Sequence, residues 1–142
     1  MAKGLGFDNS LLKLIFNAVG ISLIADNTAT TPLTNLYWAL HTSDPTTSGS
    51  QNTNELAYTG YARVGVSRST SGFTVTANSV SPAASVLFPA GTGGSGTATN
   101  WSLGSAATGA GTIFYTGTIS PQIVCGNGVT PVITTASTIT EA

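Results

Sequence analysis

The sequence predicts an all-β fold: a β-sandwich, of jelly-roll type, preceded by a short N-terminal helix. Three observations predict it. Beyond about residue 33 the chain consists of short runs of Thr, Val, Ile and aromatics, separated by Gly, Pro, Asn and Ser, which is the composition of strands and tight turns. About eight or nine such runs recur every 8–12 residues or so, a spacing that favours a sandwich, jelly roll or barrel over alternating βα units. Asn127-Gly128 is the strongest hairpin signal in the chain, because both residues tolerate positive φ.

The first element is a helix. Asp8, Asn9 or Ser10 can cap it, since their side-chain oxygens accept from free amides of the first turn. Leu11, Leu14, Ile15, Ala18 and Val19 follow the i, i+3, i+4, i+7, i+8 stripe, and Leu12 and Phe16 widen it. Gly20 stands where a glycine terminates a helix. So wide an apolar collar must be covered, either by the chain's own domain or by a neighbouring subunit. Leu11, Leu12, Leu14, Ile15 and Phe16 are therefore the candidate interface residues. Residues 21–33 form a connector with turn chemistry at Asp26-Asn27-Thr28 and Thr31-Pro32. The expected organisation is a helical arm and connector over residues 1–32 and a β domain over 33–142.

Leu36-Tyr37-Trp38-Ala39-Leu40 is continuously apolar, as in a central strand buried on both faces. A polar loop, 41–54, follows. Residues 61–68 alternate, Ser71-Gly72 turns, and Phe73, Val75 and Ala77 alternate again, which predicts a hairpin of these two runs. Val86-Leu87-Phe88 is a short strand closed by Pro89, and residues 90–96 are a glycine-rich loop. Strands are expected over 97–103, 113–115, 119–124 and 129–133, with a Thr-rich tail over 134–140.

Charged residues make up only 6% of the 142, against roughly a quarter in an ordinary soluble domain. An isolated monomer commonly guards its sheet edges with Lys and Glu. A surface this poor in charge is suited to lie against other protein, so a homo-oligomer is expected, with exposed edges near 73–77 and 129–133. The net charge of −1 offers no electrostatic footprint for nucleic acid or an anionic membrane. Cys125 is the only cysteine, which excludes an intrachain disulfide and a thiolate metal cluster. No signal peptide is expected: residues 11–19 are apolar but interrupted by Lys13 and Asn17.

Little remains for chemistry. His41 is the only histidine and precedes Thr42-Ser43-Asp44-Pro45; no G-x-S-x-G elbow supplies a nucleophile, so His41 and Asp44 are expected to satisfy backbone groups. Asp44 and Glu55 could imitate a glycosidase pair, but solvated charges or an ion pair with Arg63 or Arg68 explain them. The loop 91–96 lacks the Lys-Ser/Thr of a phosphate loop and precedes a strand. Trp38 and Trp101 are expected in the core, and Cys125 as a small buried hydrophobe. No catalytic, metal or cofactor-binding residue is expected, nor any cofactor or small-molecule substrate; the protein is read as not an enzyme.

The run Leu36-Tyr37-Trp38-Ala39-Leu40-His41-Thr42-Ser43-Asp44-Pro45, then Asn54-Glu55 and Tyr58-x-Gly60-Tyr61-Ala62-Arg63-Val64, resembles a family of small tailed-phage virion proteins. Phe88-Pro89-Ala90 and Gly126-Asn127-Gly128-Val129-Thr130-Pro131 are similar to its later blocks. Members carry tail-fibre or capsid labels. The resemblance implies a virion component made in the host cytoplasm. Size and the absence of shaft repeats point to a capsid cement (decoration) protein, bound on the capsid surface to the major capsid protein and to itself, which strengthens the shell against genome pressure. The alternative is a tail-fibre or tail-tip module that contacts the host surface.

Overall fold

The computed structural model describes residues 5–20 and 32–141. In chain order the elements are α1 (Leu5–Asn17), β1 (Asn35–His41), β2 (Val64–Ser67), β3 (Phe73–Thr76), β4 (Ser79–Pro82), β5 (Val86–Leu87), β6 (Ser95–Gly104), β7 (Ile113–Gly126), β8 (Val132–Ile133) and β9 (Ile139–Thr140). Among the described residues the protein is all-β apart from α1, consistent with the predicted sandwich class. The predicted turns at 26–28 and 31–32 fall wholly or partly outside the described residues. The chain divides into two compact units, one taking the described parts of 1–35, 66–85 and 134–142, the other 36–65 and 86–133.

In the first unit α1 packs on the β3–β4 hairpin. Leu12 and Phe16, one helical turn apart, are fully buried, and the Phe16 ring meets Phe73 edge-on at 4.9 Å. Burial of one such side chain contributes about 1.5–3 kcal/mol. Asn9 donates to the Ala77 carbonyl at 2.7 Å and Asn17 to that of Phe73 at 3.0 Å. Eight helical residues advance about 12 Å and four strand residues about 13 Å, so this spacing of asparagines lays the helix along β3. The helix starts earlier than predicted, which places Asp8 in its first turn, and Asp8, Asn9 and Ser10 inside it. It ends at Asn17, where Ala18 takes a φ of 56°, rather than at Gly20. A cation replaces the expected glycine: Arg68 donates to the Ile15 carbonyl at 2.6 Å and to that of Leu14 at 2.5 Å. These carbonyls belong to the last turn, where helix carbonyls run out of partners further along the helix, and a positive charge there also complements the helix dipole.

β3 pairs antiparallel with β4, and β4 with β9. The predicted hairpin of 61–68 with 73–77 is therefore replaced. The chain reverses at Ala77-Asn78, with Ala77 at a φ of 52°, and β2 joins a different sheet. Asn78 fastens the C-terminal segment, its amide donating to the Glu141 carbonyl at 3.0 Å while its own carbonyl accepts from Glu141 N–H at 2.8 Å.

The second unit is built on a sheet of order β2-β1-β6-β7, of which β2 contributes Val64 and Gly65 to this unit. β1 has a neighbour on each side, and Leu36, Trp38, Ala39 and Leu40 are all buried, as the apolar run predicts. Trp38 packs on Trp101 at 5.1 Å. Trp101 itself is only half-buried; its indole lies over Gly117, where a Cβ would come within 2.7 Å of it. The two runs predicted at 113–115 and 119–124 are one strand, β7. Its pairing with β6 shifts register twice, so that residues 119–122 face Thr99 alone. Asn127-Gly128 makes its turn, with Gly128 at a φ of 77° and Val129 N–H on the Gly126 carbonyl at 3.1 Å. The chain beyond it does not return along β7. It runs against Gly91, and β8 pairs with β5.

Candidate functional site

The chemistry-bearing side chains of the second unit gather where the loop 42–63 folds back on β1 and β6. His41 follows the apolar run on β1, and its alternation brings it opposite Asn100 of β6. His41 and Ser102 are both fully buried. The imidazole Nδ1 lies 2.9 Å from the Thr53 carbonyl, and Nε2 lies 2.7 Å from Ser102 Oγ. A carbonyl only accepts, so Nδ1 carries the proton and Nε2 accepts from the serine hydroxyl. Burial pushes the His41 pKa below its usual value, which keeps the ring neutral and suited to this arrangement.

Beside it stands an ion pair. Arg63 grips both carboxylate oxygens of Glu55, Nε to Oε1 and Nη2 to Oε2, each at 2.7 Å. Its remaining donors reach the carbonyls of Ala106 at 2.9 Å and Gly109 at 2.7 Å. One guanidinium thus ties the loop to the β6–β7 turn. The Tyr61 hydroxyl donates to Glu55 at 3.0 Å and accepts from the Leu40 amide at 3.0 Å; burial pushes its pKa far up. Gln51, fully buried, donates to the Tyr37 carbonyl at 2.9 Å and accepts from Ala106 N–H at 3.0 Å. It fits only because Gly104 and Gly111 lack side chains, each bare Cα leaving room where a Cβ would meet the Gln51 amide.

Asp44 sits apart from this cluster. It is exposed and accepts from Thr46 N–H at 2.9 Å, an Asx turn and not a partner of His41. The glycine-rich loop lies on the segment 58–60: Thr59 N–H donates to Gly93 and Thr92 N–H to Thr59, both at 2.9 Å, and the Tyr58 hydroxyl donates to the Pro89 carbonyl at 2.6 Å. Cys125 is buried, which raises its thiol pKa. Among the described residues no group of three or more His, Cys, Asp and Glu is placed to hold a metal ion, and no helix is long and apolar enough to cross a membrane.

Of the interface candidates, Leu12 and Phe16 are taken up by the packing of α1 in its own unit, while Leu11, Leu14 and Ile15 remain half-buried. Sequence reasoning offered an ion pair with Arg63 or Arg68 as one of two readings of Glu55, but missed the roles of Gln51, Ser102 and Arg68, whose partners are remote in sequence and carry no local pattern.

Apart from Asp44, this chemistry is inward-turned: His41, Gln51, Tyr61 and the Glu55–Arg63 pair spend their polar atoms on holding loop, sheet and turn together. The family model described as Podophage GP4 fiber I protein gp80 matches residues 15–140 of the chain. The chain belongs to this podophage fibre-protein family. Comparison with curated proteins gives no match. A bacteriophage virion structural role follows from the family, as the motifs at 36–64 and 88–131 imply. The gp80 family's description carries the fibre label, not a capsid one.

Proposed function

We propose that this gp80-family protein is a non-enzymatic structural subunit of the tail-fibre apparatus, held in the virion by protein–protein contacts. The fibre label of the family supports the tail location. The carrying observation for the absence of catalysis is the burial of the His41–Ser102 pair. An acyl-transfer serine must reach substrate and needs an orienting group on its histidine. Here both residues are fully buried and the orienting partner is a backbone carbonyl. The pair acts as a bolt between loop and sheet.

A second reading, capsid decoration bound to the major capsid protein, rests on a different observation. These 142 residues contain no shaft repeats, which suits a subunit spread over a shell. There, a standard seam contact burying about 1,600 Å² would be multiplied by attachment to several neighbours. Copy number per virion separates the two. Quantitative densitometry of purified particles is expected to give a few to a few tens of copies for a tail component; hundreds would support the shell. For enzymatic activity, turnover of host-surface polysaccharide that is lost in Glu55→Gln would overturn the non-enzymatic reading.

A further inference from the structure

We propose that Asn127 is a site of spontaneous deamidation that the folded chain holds latent, with the Gly91 backbone as the restraint. The reagents are built into the Asn127-Gly128 pair. Both residues are exposed on their turn, and Gly128 has no side chain to crowd its own amide nitrogen. Once that nitrogen gives up its proton to water or hydroxide, it can bond to the side-chain carbonyl carbon of Asn127. The bond from that carbon to Nδ2 breaks, ammonia leaves, and a cyclic imide remains. Water then opens the imide at either carbonyl, giving aspartate or isoaspartate. The balance is one water consumed and one ammonia released.

The fold restrains the nucleophile. Gly128 N–H donates to the Gly91 carbonyl at 2.8 Å, and Gly91 N–H donates to the Val129 carbonyl at 2.9 Å. Val129 N–H closes the turn on the Gly126 carbonyl at 3.1 Å. The nitrogen that must lose its proton is therefore a committed donor, and the bonds on either side of it hold the peptide in place. Gly91 approaches this closely only because it is bare: a Cβ there would run into the Gly126 carbonyl oxygen. The first residue of the glycine-rich loop thus acts as a clasp on the turn.

Escape from the clasp would matter to this chain. Residues 69–140 contain no Asp, Glu, Lys, Arg or His, so an acid at 127 would be the first charge in that stretch. Isoaspartate would also lengthen the backbone inside the turn and misalign the bonds to Gly91.

Peptide mass spectrometry of the purified chain, held in mildly alkaline buffer, tests this. Chymotryptic cleavage after Tyr115 releases residues 116–142, in which Asn127 is the single asparagine. Conversion at Asn127 is followed in the folded chain, in the chain unfolded in guanidinium, and in Gly91→Ala. The folded wild type is expected to convert about tenfold or more slowly than the unfolded chain, because reaction then waits for local opening. Gly91→Ala, with its circular dichroism retained, should convert at a rate close to that of the unfolded chain. Should Gly91→Ala fail to fold, amide hydrogen exchange of the wild type decides: the Gly128 N–H should exchange about tenfold or more slowly than in the unfolded chain. The proposal is overturned by an unfolded chain that leaves Asn127 intact, by equal conversion in folded and unfolded wild type, by an unprotected Gly128 amide, or by a folded Gly91→Ala that converts as slowly as wild type.

Discussion

Arg63→Met isolates the contribution of the Glu55–Arg63 clamp. The Arg63 side chain is 2% exposed and Glu55 18%. The guanidinium donates four hydrogen bonds, two to the carboxylate and two to carbonyls of the 106–109 turn. Methionine keeps much of the apolar stem and removes every donor. Glu55 is then left as a largely buried charge with only the Tyr61 hydroxyl, and the Ala106 and Gly109 carbonyls lose their partner. Breaking a buried pair in this way costs about 3–5 kcal/mol, a large part of the roughly 5–15 kcal/mol that holds a domain folded. Chemical denaturation should register that loss, and the melting temperature should fall by roughly 6–20 °C at about 2–4 °C per kcal/mol. Adding Glu55→Gln should recover part of the loss, since the stranded charge disappears. A loss below about 1 kcal/mol, the value of a surface ion pair, would refute the reasoning, as would a double variant less stable than Arg63→Met alone.

Phe16→Ala should cost about 3–5 kcal/mol in chemical denaturation, because the ring is fully buried against Phe73. Arg68→Met should lower stability by roughly 1–3 kcal/mol as the Leu14 and Ile15 carbonyls lose a charged donor, with a loss of helical signal in circular dichroism. Gly104→Ala should destabilise by about 1–3 kcal/mol or more, since its Cβ would stand 2.3 Å from the Thr112 carbonyl oxygen; unchanged melting would contradict that packing. Stability should also depend on pH through His41. Its folded pKa is depressed by burial, so the unfolded chain binds the extra proton below about pH 6.5. Stability therefore falls as pH drops through that value towards the folded pKa, by at most about 1.4 kcal/mol per pH unit, and His41→Gln should flatten this slope.

Legibility tracked the range of the forces involved. β1 could be read because Leu36–Leu40 is apolar without interruption, and burial on both faces demands that pattern. The Asn127-Gly128 turn could be read because its backbone needs residues that tolerate positive φ. The partner of the strand after that turn could not, because a turn states that the chain bends and leaves its destination open. The 73–77 hairpin went to a different partner for a related reason: Ala77 adopts the positive φ of the reversal, and alanine carries no such signal. The helix terminus followed suit, with Arg68 doing from 53 residues away what a local glycine was expected to do. In the polar cluster, His41 and Glu55 belong to one local reversal, and of the alternatives open for Glu55, a solvated charge or an ion pair with Arg63 or Arg68, the structure takes the pair with Arg63. Ser102 stands 61 residues from His41, and only the pairing of β1 with β6 brings the two together.

The most direct test of the structural role is localisation on purified phage particles with gold-labelled antibodies raised against the chain. Labelling concentrated at the tail, with the protein retained through gradient purification, is the expected result. Labelling spread evenly over the capsid shell would contradict the fibre assignment, and absence of the protein from purified particles would contradict a virion structural role altogether.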